Sequence, residues 1–180
     1  MFRGLMTGAL AAAVGTLAMD LVWFRRYRAG GGQERFAEWE FADDVKTWAD
    51  ASAPGQVGLK LERAVLREDP PDALARPTTN AMHWMTGIGW GAAYGVAARL
   101  FPRVQGAAAA LGPVAWLTSY AILPVLGVYK PMWKYDRKTL GKDFSAHMVF
   151  GLVTAAAFSI LSRGLPGLRD LVPGVASRRR

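Results

Sequence analysis

Four ionisable residues sit inside or at the edge of long apolar runs: Asp20, His83, Asp143 and His147. Carboxylates and imidazoles are the side chains that exchange protons near neutral pH or ligate a cation. Each of the four lies on a stripe of small residues at helical spacing. Gly4, Gly8, Ala12, Thr16 and Asp20 follow one another every fourth residue, as do His83, Gly87, Gly91 and Gly95. Asp143, His147, Gly151, Ala155 and Ser159 repeat the rhythm. Small residues four apart let helix backbones approach closely. The polar side chains therefore fall on packing faces, with Gly8, Gly87, Gly91, Gly95 and Gly151 as the expected contact positions. An ionisable group at membrane depth is costly and as a rule faces a bundle interior or a cavity.

The runs that must position these residues are long enough to cross a hydrocarbon core of about 30 Å. The first covers residues 4–24 and is stopped by Arg25, Arg26 and Arg28. It stays apolar through Leu21, Val22, Trp23 and Phe24 up to that basic stop, as an anchor does and a cleaved signal does not. The second covers 80–101, with Thr78 or Thr79 as the expected N-cap and Pro102 as its end. The third covers 106–128 and contains Pro113 and Pro124, which membrane helices tolerate. The fourth covers 143–162, extended by the turn before it, and leads into a basic tail over 163–180 that is expected to fray.

Between the first two runs lies a polar loop over 25–79. Within it, residues 33–50 carry Phe36, Trp39, Val45 and Trp48 on one helical face, and 56–69 form a second amphipathic piece. One or two short amphipathic helices, lying on the membrane or capping the bundle, are expected; a solvated loop is the plainer alternative. The fold class read from this pattern is all-α: a polytopic integral membrane protein with four transmembrane helices, a single membrane domain over 1–180.

Composition agrees. Of the 180 residues 52% are hydrophobic, and the mean hydropathy of +0.12 is held down by the polar loop. The absence of cysteine excludes disulfides, thiolate metal sites and thiol nucleophiles. A formal charge of +8 in a soluble protein would suggest nucleic acid. Here the basic residues gather at the ends of apolar runs, as at Arg25–Arg28 and Lys134–Lys138, and no nucleic-acid motif accompanies them. The expected partners are the lipid bilayer and its anionic headgroups. Trp23, Trp84, Tyr129, Trp133 and Tyr135 lie near run ends, as interfacial aromatics do. The connections after the first and third runs hold 14 of the 22 Lys and Arg, which leans toward those connections being cytoplasmic.

Depth brings the polar residues together. The first and third runs end on the side where the second and fourth begin, so Asp20, His83, Tyr129, Asp143 and His147 share one level of the bilayer. Asp143 and His147 are one helical turn apart, where a carboxylate can fix the imidazole tautomer; equally, Asp143 can cap the fourth helix near its positive end. Several uses of the cluster stay open. It can be a proton- or ion-linked site, or a metal or haem b site on His83 and His147. It can also be a set of interhelical hydrogen bonds that only specify packing. No nucleophile-plus-base spacing and no phosphate-binding glycine loop is present, so a non-enzymatic protein is expected. The segment 128–136 is aromatic and basic together. It reads either as an interfacial loop with snorkelling lysines or as a lid whose cations attract an anion. Four short spans enclose little volume, so the Gly87, Gly91 and Gly95 face can pack within one protomer or in a homo-oligomer.

Several of these residues carry a family likeness. The opening Gly4-Leu5-Met6-Thr7-Gly8, and the acidic residue at Asp20 that closes the first span, look like the first span of the YagU-like family. His83 followed by Tyr94 and Phe101-Pro102 has similar spacing, as do Pro124, Gly127 and Pro131, and the pair Asp143 and His147. The chain thus resembles the YagU-like family of small bacterial inner-membrane proteins over its four spans. Residues 30–75 share no motif with it, and the second span is richer in glycine. The resemblance implies a multi-pass inner-membrane protein with both termini cytoplasmic, an orientation preferred here over the charge count. It implies no biochemical activity, but it favours a shared role for Asp20, His83, Asp143 and His147.

Overall fold

The computed structural model describes residues 1–163, and every regular element among them is helical. The basic tail beyond Arg163 lies outside the described residues. In chain order the α-helices are α1 (Phe2–Ala29), α2 (Phe36–Glu40), α3 (Ala53–Leu66), α4 (Ala75–Leu100), α5 (Leu111–Val125) and α6 (Arg137–Arg163). Short 3-10 segments lead into α4 and α5 and sit in the α5–α6 connection.

Three stretches are long and apolar enough to cross a membrane: α1, residues Ala107–Val125 and α6. At 28 and 27 residues, α1 and α6 are each about 40 Å long. The expectation of four such helices is therefore met by three. The expected second span is helical as α4, but it is not apolar enough to count. Its first third holds Arg76, Thr78, Thr79, Asn80 and His83, and its remainder is diluted by Gly87, Gly89, Gly91 and Gly95.

Packing is small inside and large outside. On α1 the buried residues are Gly4, Gly8, Ala11, Ala12, Gly15, Thr16 and Asp20, while Leu5, Leu10, Val14, Leu17 and Leu21 are exposed. That inversion suits a lipid surround, where close backbone approach rather than apolar burial holds helices together. α1 is the hub. It packs along α4 on one side and α6 on the other, α5 packs on α6, and α4 and α5 scarcely meet. The helices thus form an open arc with a gap between α4 and α5.

The connection from α1 to α4 folds over one end of this arc. The 33–50 piece is not a single helix: α2 stops at Glu40, and Ala42 takes a positive φ of 50°. Val45 and Trp48 instead enter a second small core with Leu59 of α3 and Ala75 of α4. Trp48 is pinned there, its indole Nε1–H donating to the Pro70 carbonyl at 2.9 Å and its backbone N–H to Asp72 at 3.1 Å.

Two expected caps are corrected. Neither Thr78 nor Thr79 caps α4, which already begins at Ala75. Pro77 is its third residue, where the missing N–H has no intrahelical partner to lose. Asp143 does not cap α6, because that helix starts at Arg137. Asp136 takes the role, its carboxylate accepting from the Thr139 N–H at 2.9 Å and from the Thr139 hydroxyl at 2.7 Å.

Candidate functional site

α1 and α4 run antiparallel along a ladder of small residues. A Cβ on Gly95 would overlap the Gly4 carbonyl, one on Gly91 the Gly8 carbonyl and Ala12, and one on Gly87 the Thr16 hydroxyl. The next rung is Asp20 opposite His83. The imidazole Nε2–H donates to Asp20 Oδ2 at 2.9 Å, the tautomer being set by the carboxylate acceptor. Asp20 is only 3% exposed. The expected packing glycines of α1 and α4 thus pack against each other within the chain, and the same close approach brings a carboxylate and an imidazole into contact.

A third ionisable group joins them from the connection. Glu40, the last residue of α2, is 9% exposed and faces the Asp20 carboxyl, His83 and the Trp84 indole. Its Oε1 is sealed from solvent with no hydrogen-bond partner. Burial, and then the neighbouring Asp20 charge, push its carboxyl up to about 7. Two devices hold it in place. On one side Phe36 and Trp39 pack against Phe24 at ring separations of 5.2 and 5.5 Å. On the other, the Phe41 carbonyl accepts from Arg76 at 3.0 Å and from Asn80 at 2.9 Å, and Arg76 also pairs with Asp43. Among the described residues, Asp20, Glu40 and His83 bring one ligating atom each to within 4.8 Å of one another.

The second pair lies on α6. His147 Nδ1–H donates to the Asp143 backbone carbonyl at 3.0 Å, and Asp143 Oδ1 is 3.4 Å from the same nitrogen. Tyr120 and Tyr129 lie close to Asp143, and Tyr135 packs on both of them. The rings of Tyr120, Tyr129 and Tyr135 lie 5.4 to 6.1 Å apart. Burial and the Asp143 charge push Tyr129 up to about 12. Backbone contact again sets the frame, since a Cβ on Gly112 of α5 would meet the His147 carbonyl and one on Gly151 of α6 would meet Gly112. Arg26 then staples α1 to α6 beside the pair, donating to the Lys142 carbonyl at 2.7 Å and to the Ser145 hydroxyl at 2.8 Å. Its guanidinium also lies over the Trp23 ring at 4.9 Å.

Both pairs line one open cleft of about 980 Å³ in the gap between α4 and α5. α1 and α6 form its floor, and the connection between α1 and α4 overhangs it. All five sequence-predicted residues, Asp20, His83, Tyr129, Asp143 and His147, border this cleft. Sequence reasoning missed Glu40 and gave Arg26 no role beyond a basic stop. In the 128–136 segment Tyr129 and Tyr135 turn inward, whereas Lys130, Trp133 and Lys134 are exposed. Among the described residues Arg26 is the arginine or lysine that borders the cleft, and the lysines of that segment do not line it.

The site holds acids, imidazoles and phenols on a cleft with apolar walls such as Trp90, Ile122 and Phe150. Such a set can exchange protons or ligate a cation. No protein-family model, curated protein or solved structure matches the chain.

Proposed function

We propose that this chain is a four-pass protein of the bacterial inner membrane whose cleft holds a proton- or ion-linked site, without enzymatic activity. The observation that carries the reading is the convergence of two histidine–carboxylate pairs, from α1, α4 and α6, on one open cleft. Buried ionisable groups at membrane depth are expensive, and ion and proton pathways are where they persist.

α4 serves as the fourth span. Its 26 residues reach about 39 Å, enough to cross. Its low hydropathy comes from residues turned inward: Thr79 is buried, and Asn80, His83 and Thr86 border the cleft. The resemblance to the YagU-like family supports cytoplasmic termini. In that orientation the cleft opens on the periplasmic side, where the connection between α1 and α4 covers it.

The test is a pH jump across liposomes containing the protein and an entrapped pH dye. His83→Gln and His147→Gln, which keep a hydrogen-bonding side chain, should each slow the wild-type response while retaining its helical circular dichroism. A response unchanged in both variants would sink the reading and leave the pairs as packing elements.

A further inference from the structure

We propose that Asp20, Glu40 and His83 form a site for one divalent first-row metal ion, of the Zn²⁺, Mn²⁺ or Fe²⁺ class. This deepens the ion-linked reading of the cleft and rests on it, naming the ion and a third ligand outside the spans.

Geometry comes first. One carboxylate oxygen from each acid and one imidazole nitrogen lie within 4.8 Å of one another, and the closest pair is 2.9 Å apart. A bound ion with ligands at about 2.0–2.2 Å separates them by roughly 3–3.5 Å. The observed spacings bracket that range, so small shifts of these side chains would close the site around an ion.

The second observation is independent of the spacing. Glu40 Oε1 is buried and unpartnered in a residue that is 9% exposed. Buried carboxylate oxygens are almost always hydrogen-bonded or ligated. Among the described residues, neither nearby arginine pairs with Asp20 or Glu40. Arg26 is turned to the Lys142 carbonyl and Ser145, and Arg76 to Asp43 and the Phe41 carbonyl. A dication bound here would give the buried Glu40 carboxyl a partner and offset the charge of the two acids once Glu40 is ionised.

The ligand set selects the class. One nitrogen and two oxygens suit Zn²⁺, Mn²⁺ or Fe²⁺ and not a thiolate-seeking ion. Three protein ligands leave a coordination position open toward the cleft, as in sites that keep a water or exchange their metal. The ion takes the place of the proton on His83 Nε2. That proton moves to Nδ1 or leaves to solvent, and a proton held by Glu40 leaves with it.

The experiment uses the full chain, stripped with a chelator and placed in nanodiscs without anionic lipid, titrated calorimetrically with Zn²⁺ and then Mn²⁺. One ion per chain is expected. Glu40→Gln and Asp20→Asn should weaken binding by about tenfold or more, while His147→Gln leaves it unchanged. Zn²⁺ should raise the melting temperature of the wild type and not that of Glu40→Gln, whose helical circular dichroism serves as the folding control. Wild-type affinity in Glu40→Gln, absence of a stoichiometric ion, or loss of binding in His147→Gln alone would each overturn the site. Metal binding lost with the liposome pH response intact counts against this site only. The converse result counts against the proton-linked part of the cleft reading.

Discussion

Asp20 and His83 meet from helices 63 residues apart in sequence, whereas Asp143 and His147 share one helix and lie a single turn apart. The α6 pair forms wherever α6 does, and its imidazole keeps a backbone carbonyl partner even without the carboxylate. The α1–α4 pair exists only because two backbones approach through glycine, and it draws in a third acid from the connection. One pair therefore reports a helix and the other reports the fold.

The harshest way to break that comparison is at the ladder. Valine at Gly91 drives a branched side chain into the Gly8 carbonyl and Ala12. Backbone is what it meets, so α1 and α4 must part. We expect a loss of roughly 3 kcal/mol, the upper end of ordinary overpacking, read as the unfolding midpoint in denaturing detergent. A midpoint equal to wild type would mean that α1 and α4 do not pack on these glycines.

Removing one carboxylate from each pair sharpens the comparison directly. Asp20→Ala leaves the half-buried His83 imidazole N–H without its acceptor and should cost roughly 2 kcal/mol. Asp143→Ala breaks a one-turn pair and should cost only about 0.5 kcal/mol. Equal losses in the same unfolding assay would erase the distinction between the two pairs.

A smaller effect, of opposite sign, is expected at Glu40. Its carboxyl lies against Asp20 with one oxygen unpartnered, so its ionised form is unfavourable where it sits. Glu40→Gln keeps the shape and removes the charge. It should stabilise the metal-free protein by roughly 1 kcal/mol, as neutralising an uncompensated buried group does. Destabilisation instead would mean that the carboxylate is already satisfied.

The same contrast explains what was legible in the sequence. The i, i+4 stripes placed Asp20, His83, Asp143 and His147 on packing faces, because helical period and residue size are local properties. Tyr129 followed from run ends and alternating direction. Glu40 did not, since its position depends on Phe41 reaching Arg76 and Asn80 of α4, contacts 35 and 39 residues away. The nearby Glu38 looks alike in sequence but pairs with Arg35 at the surface. A glutamate set between Trp39 and Phe41 was the one available hint. The 33–50 piece misled for a related reason: its apolar residues serve two different cores, an aromatic clip on α1 and the cluster around Trp48. Pro113, read as a proline that a membrane span tolerates, is the third residue of α5, as Pro77 is of α4, where proline has no intrahelical bond to lose.

The start of α6 was also misplaced, and it offers the gentlest separation of the two pairs. Asp136 holds that start through the Thr139 hydroxyl and backbone N–H, which keep its carboxyl below the usual range. A carboxyl depressed in the folded state contributes its full stability above its unfolded value, near 3.9. The contribution fades as pH falls through the lower folded value. Asp136→Ala should therefore lower the melting temperature slightly at neutral pH, and the gap to wild type should close in acid below about pH 4. Fraying that begins at Arg137 approaches Asp143 and the Lys142 carbonyl held by Arg26 of α1, but it lies away from the glycine ladder that joins α1 to α4. With only two histidines in the chain, ¹⁵N-imidazole spectra can follow both pairs at once. The His147 signal should shift in Asp136→Ala while that of His83 stays, and a shift at His83 would show that the two pairs are coupled across the cleft.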